Sequence, residues 1–172
     1  MPLLASATST TRPLNLAAST RLYVWNTVAK GADGITLNGG TMYGMNITNE
    51  GKINLKSTSP IYLNDISNSK TAEVTTIAGG NIFMSNVRNE GKVAFTSPSM
   101  LVLHKVAHHG GQVQVVGGNV RVFGAEVGGT GGIHFTNANA VVRDVIVTGN
   151  GVVESTGSSG VMDADNVTFD GK

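Results

Sequence analysis

From about Arg21 onward the apolar positions recur in paired clusters, with about 20 residues from one pair to the next. The first cluster supplies Met42 and Ile47, then Ile61 and Ile66, Ile82 and Val87, Leu101 and Val106, Val120 and Val127. The second supplies Ile35 and Leu37, then Ile53 and Leu55, Val93 and Phe95, Val113 and Val115, Ile133 and Phe135. In the second cluster the i, i+2 spacing is the period of a strand, with both side chains on one face. A glycine-containing turn separates the two clusters, and no amphipathic helical stretch appears. The predicted elements are therefore short strands, with Phe95 and Phe135 pointing inward.

The pattern is a true internal repeat. TMYGMNITNEGKINLKSTS (41–59) and NIFMSNVRNEGKVAFTSPS (81–99) share Asn, a β-branched residue and Asn-Glu-Gly-Lys at matching offsets, and residues 60–80 fit the same template. The coils 21–40, 41–59, 60–80, 81–99, 100–118, 119–139 and 140–160 give seven full turns of 19 to 21 residues. No single coil can bury its own apolar face, so stability requires the stack, with like residue over like in parallel strands. The predicted fold is all-β, a single-domain parallel β-solenoid. Residues 1–12 are expected to form an N-terminal arm, 13–20 a half coil and 161–172 a second half coil.

Composition narrows the function classes. Charged residues make up 13% of the 172 residues, the net charge is +1, and no Lys/Arg run occurs, which argues against nucleic acid as a partner. No apolar stretch approaches the length of a membrane helix, so no membrane insertion is expected. The chain has 23 glycines spread among β-branched residues, the mark of many turns rather than of disorder. It has no cysteine, which removes disulfides and thiolate metal sites and fits an extracellular, cell-surface or virion-surface protein. The N-terminus lacks a basic segment followed by a long apolar one, so it is not an evident signal peptide.

Leucine-rich repeats would show LxxLxL, and left-handed hexapeptide helices a six-residue apolar period; neither is present. NVRVFGAEV (119–127), AVVRDVIVTGNG (140–151) and DADNVTF (163–169) resemble coils of the pectin-lyase-like right-handed parallel β-helix superfamily, which includes adhesin passenger domains and phage tailspikes. The resemblance covers nearly the whole chain from Arg21. It implies a fold and leaves function open, because that architecture hosts lyases, hydrolases, adhesins and scaffolds.

Several groups of residues invite a chemical reading. Asn46, Asp65, Asn86, Lys105, Glu126, Asp144 and Asn166 form a polar column before the inward β-branched residue, read as a turn ladder in which Asn and Asp accept left-handed backbone. Within it Glu126, Asp144 and Asp165 (or Asp163) fall about one coil apart, near enough for a carboxylate site that could bind Ca²⁺ or cleave polysaccharide. No matching catalytic motif accompanies them. His104, His108, His109 and His134 suggest a metal, but His108 and His109 are consecutive before Gly110 and are read as a solvated turn. The run GGTGG at 128–132 lacks the Lys-Ser/Thr of a phosphate loop and is a turn. Tyr23 and Trp25 either close the core at the N-terminal end or form an interface.

The chain is therefore expected to be non-enzymatic, with no metal and no cofactor. The partial coil Asn166-Val167-Thr168-Phe169-Asp170-Gly171-Lys172 repeats the run at 46–52, and Leu14-Asn15-Leu16 supplies the apolar-x-apolar step that should follow. The expected partner is a second copy, joined head to tail through Leu14, Asn15, Leu16, Trp25, Val167, Phe169 and Lys172. Each subunit would add about eight coils, an axial repeat of roughly 38 Å. The alternative is a carbohydrate-binding adhesin or a polysaccharide-cleaving domain with a polysaccharide ligand.

Overall fold

A computed structural model describes residues 3–6, 14–30, 35–57, 59–78, 80–96 and 98–170. These residues contain sixteen strands and no helix, joined in one sheet that winds upon itself. The strands run β1 (Leu3–Ser6), β2 (Leu14–Ala29), β3 (Ile35–Asn49), β4 (Lys52–Ser57), β5 (Ile61–Asn68), β6 (Glu73–Ala78), β7 (Asn81–Asn89) and β8 (Lys92–Thr96). They continue as β9 (Met100–His109), β10 (Gln112–Val116), β11 (Asn119–Phe123), β12 (Glu126–Gly128), β13 (Gly132–Thr136), β14 (Asn139–Thr148), β15 (Val152–Thr156) and β16 (Met162–Asp170). Every pairing is parallel and joins a strand to its equivalent one coil on, as between β5 and β7 or β10 and β13. The fold is a parallel β-solenoid, as the repeat predicts.

Each coil has three faces. In residues 41–59 the first face is 41–45, Asn46 makes a corner, 47–49 form a short second face, Glu50 and Gly51 turn, and β4 is the third. The corner needs a residue with positive φ, and Asn26, Asn46, Asp65, Asn86, Lys105, Asp144 and Asn166 supply it at φ values between 49° and 55°. Asn and Asp tolerate this left-handed region better than most side chains, which explains the polar column. One member of the expected column is wrong. The corner of coil 119–139 is Gly124 at φ 63°, and Glu126 lies two residues further on, opposite Ala107 and Ile146. The residue equivalent to Val106 is therefore Ala125, not Val127. This coil reaches its corner through glycine, so it lacks the Asn or Asp that marks the register in every other described coil but that of Lys105.

The core lies inside the coil and is filled by side chains. Leu22, Met42, Ile61, Ile82, Leu101, Val120 and Ala140 stack in one buried column, and Ile53, Val74, Val93, Val113 and Ile133 in another. Phe95 and Phe135 are 1% and 0% exposed, as their register predicts. The turn after the second face is tight. A Cβ on Gly91 would overlap the carbonyl oxygens of Ala72 and Ser69, and one on Gly111 that of Gly91, so only glycine lets successive turns stack there.

The N-terminal segment departs from expectation. β1 lies within the stretch expected to be an arm, yet it pairs in parallel with β2, Leu3 opposite Leu22 and Ser6 opposite Trp25. Residues 3–6 are thus the first face of a coil whose third face is 14–18, paired with 35–39. The Leu14-Asn15-Leu16 step already belongs to a coil of its own and is not a free half awaiting another chain's missing piece. The backbone pattern of residues 3–6 carries only one alternation, too short to be read as a coil from sequence.

Candidate functional site

Two ladders run along the solenoid axis, one outside and one inside. On the outer side of the first face, Tyr23, Tyr43, Tyr62 and Phe83 occupy one register position in successive coils. Their rings stack with centroids 5.0, 5.1 and 5.1 Å apart and planes within 10°. That spacing is close to the interstrand distance of about 4.8 Å, so the sheet itself sets the stack. Beside it Trp25, Met45, Asn64 and Ser85 form the next outward column, and the two columns bound a groove of about 400 Å³. Trp25 and Tyr23 therefore face outward, while Leu22 and Val24 point into the core. The reading in which these aromatics close the core end does not hold. The two inner rings, Tyr43 and Tyr62, give both faces to their neighbours, while Tyr23 and Phe83 each stack on one.

The inner ladder sits at the end of the second face. Asn49, Asn68 and Asn89 are 0%, 1% and 0% exposed and stack in register. Asn49 Nδ2 donates to Asn68 Oδ1 at 2.8 Å, and Asn68 Nδ2 to Asn89 Oδ1 at 2.7 Å. The same amides donate across the turn to the carbonyls of Glu73 and Lys92 one coil on, at 3.1 and 3.2 Å, while Asn49 and Asn89 Oδ1 accept from Gly51 and Gly91 N–H. Every buried polar atom of these side chains is satisfied, which burial demands. His108 takes the next position: Asn89 Nδ2 lies 3.1 Å from its Nδ1, and its Nε2 lies 3.1 Å from the Gly132 carbonyl. His108 is 0% exposed, so the expectation of a solvated turn fails for it and holds for His109, which is exposed. Burial pushes the His108 imidazole below its ordinary value, against its hydrogen bonds to the Asn89 and Gly132 carbonyls, which act the other way. The sequence carried this ladder as Asn at three residues past the corner (46 and 49, 65 and 68, 86 and 89), a spacing readable only as part of the repeat.

The other expected site residues are dispersed. Asp144 stands at a corner, where its Oδ1 accepts from Asn166 Nδ2 at 2.5 Å, while Glu126 is on the second face, 4.0 Å from His109 Nε2. Asp165 lies opposite Arg143, one position before the corner, so the three carboxylates share no column. Arg143 pairs with Asp163 at 2.8 Å and Asp165 at 3.7 Å. The hydrogen bond and charge of Arg143 hold the Asp163 carboxyl below its usual range. A carboxylate bound to a guanidinium is poorly placed to ligate a cation, and among the described residues no group of three His, Asp or Glu is arranged to hold a metal. His134 stands apart on the third face, its Nδ1 2.7 Å from Glu154 and its Nε2 2.5 Å from Gln112 Oε1. The 128–132 glycines form the turn expected of them, with Gly131 N–H donating to Gly128 O at 3.0 Å.

Of the expected assembly residues, Asn15 is exposed on β2, Val167 is partly buried, and Phe169 is 69% exposed on β16. Leu14 and Leu16 lie on β2 opposite Ile35 and Leu37, and Lys172 lies outside the described residues. β16 pairs with β14 along one edge, and the columns that are buried one coil below are open on it. Val147 is 3% exposed, whereas its partner Phe169 is not covered. No family model, no curated protein and no solved structure matches this chain.

Proposed function

We propose that this chain is a non-catalytic structural β-solenoid, of the pectin-lyase-like right-handed type, that joins copies of itself end to end into a fibre or appendage outside a cell or virion. The observation that carries this reading is the apolar core column left open at β16, where Phe169 and Met162 are 69% and 38% exposed. An open parallel strand edge with its inner apolar side chains uncovered is a template for one more layer. A second copy stacking its N-terminal coil there would extend the sheet without change of direction. Such a contact is heterologous and propagates as an open filament. The packed interior and the scattered carboxylates also fit a scaffold better than a hydrolase.

The outer aromatic strip favours a second reading, a polysaccharide-binding adhesin. Sugars stack on free ring faces, however, and here the ring faces of Tyr43 and Tyr62 are occupied by their neighbours. Sedimentation velocity of the intact chain across a concentration range tests the proposal. Association is expected, and Phe169→Asp should suppress it while the strand signal in circular dichroism is kept. Equal association of the Phe169→Asp variant would remove β16 as the contact. Release of products from acidic polysaccharides would overturn the non-catalytic reading.

A further inference from the structure

The inner ladder has a direction, and a titratable group stands at its end. Each asparagine donates from Nδ2 to the Oδ1 of the next, so the chain of bonds runs from Asn49 through Asn68 to Asn89. Asn89 Nδ2 then needs an acceptor, and His108 Nδ1 is that atom at 3.1 Å. The Nε2 of the same ring needs its proton, because it faces the Gly132 carbonyl at 3.1 Å. One state meets both demands, the neutral imidazole with the proton on Nε2. His108 thereby does what an asparagine does in the three coils below it, where the amide reaches the carbonyls of Glu73, Lys92 and Gln112.

We propose that His108 makes this solenoid acid-labile, because protonating its Nδ1 sets two donors against each other at the end of a buried hydrogen-bond ladder. A proton on Nδ1 turns to the Asn89 backbone carbonyl, 3.2 Å away, and leaves Asn89 Nδ2–H facing an N–H. Flipping the Asn89 amide does not relieve this. Its Nδ2 would then face Asn68 Nδ2 and the Gly91 N–H, both donors, so the mismatch would pass down the ladder to Asn49.

The carbonyls of Asn89 and Gly132 favour the cation, but burial outweighs them and no carboxylate faces the ring. The charged or titratable groups acting on His108 are His109 on its own strand and His134 on β13, whose charges oppose protonation. On β7 the ladder partner is the neutral Asn89, and on β12 the residue opposite His108 is Val127, while Glu126 reaches His109. The folded protein thus holds this ring neutral, while the unfolded chain takes up the proton near the ordinary value of 6.5. The sign follows from that order: stability is complete above 6.5 and is lost as pH falls below it, until the lower folded value is reached. One proton changes the unfolding equilibrium by up to about tenfold per pH unit.

The test is urea unfolding of the intact chain at pH 7.5 and 5.5. The wild type should show an unfolding constant about tenfold larger at pH 5.5. His108→Asn, which continues the ladder with the same donor and acceptor, should remove that change, and His134→Gln should keep it. A slope that survives in His108→Asn, or no slope in the wild type, overturns the proposal. Should His108→Asn fail to fold, ring nitrogen shifts of the folded wild type decide it. A neutral Nε2–H ring at pH 5.5 supports the device; a protonated His108 in the intact fold refutes it.

Discussion

The outer tyrosines and the inner asparagines are built by the same device, one side chain repeated at one register over successive coils, yet they hold the molecule in different ways. The asparagines are buried and joined by hydrogen bonds of 2.7 and 2.8 Å, each serving its neighbour and a carbonyl across the turn. The rings of Tyr43 and Tyr62 are 37% exposed and joined by dispersion at the spacing of the strands. Removing a member of the first leaves polar atoms stranded in a dry interior. Removing a member of the second leaves a gap that water fills. The lesson is that a solenoid ladder contributes according to what it abandons when broken, not according to how regular it looks.

The largest effect should come from neither ladder but from the apolar column beside them. Phe95→Ala empties a fully buried site between Thr76 and Val115 and should cost about 3–5 kcal/mol in urea unfolding. Next is Asn68→Leu, which keeps the branching of the side chain but takes one acceptor from the Asn49 amide and the side-chain donor from Asn89 Oδ1 and the Lys92 carbonyl. A loss of about 3 kcal/mol is expected at neutral pH. Tyr62→Ala breaks two ring stacks at the surface and should cost about 1–2 kcal/mol, since each pair contributes roughly 0.5–1.5 beyond area. If Tyr62→Ala proves as costly as Asn68→Leu, the contrast between the ladders is wrong. The smallest effect has the opposite sign. Thr76 Oγ1 is buried with no hydrogen-bond partner among the described residues, so Thr76→Val should stabilise by about 1 kcal/mol. A thermal melt that falls instead would show that the hydroxyl is satisfied.

The fold was legible because its causes are local and repeated. The i, i+2 apolar pairs and the Asn-Glu-Gly-Lys turns mark register in every coil that has them, and Phe95 and Phe135 were placed inward on that basis. Where a coil changes its chemistry the reading slips, as at Gly124, whose corner carries no Asn or Asp. β1 was missed because four residues give too little periodicity to outweigh the Ser and Thr around them. The two ladders were hidden for a different reason. Asn49 and Tyr43 carry no local mark of their burial, and only stacking shows that one is inside and the other outside. His108 differs from the expected solvated turn residue because its role depends on Asn89 beneath it and on Gly132 past the turn of the next coil.

The central claim is that the open edge at β16 is covered by a second copy. Negative-stain electron microscopy of the intact chain over rising concentration examines it directly. At about 4.8 Å per layer, the nine first-face strands from β1 to β16 span roughly 43 Å. The account predicts rods whose lengths grow with concentration in steps of about that size, and which disappear with Phe169→Asp. Single particles of one such length at every concentration would contradict it.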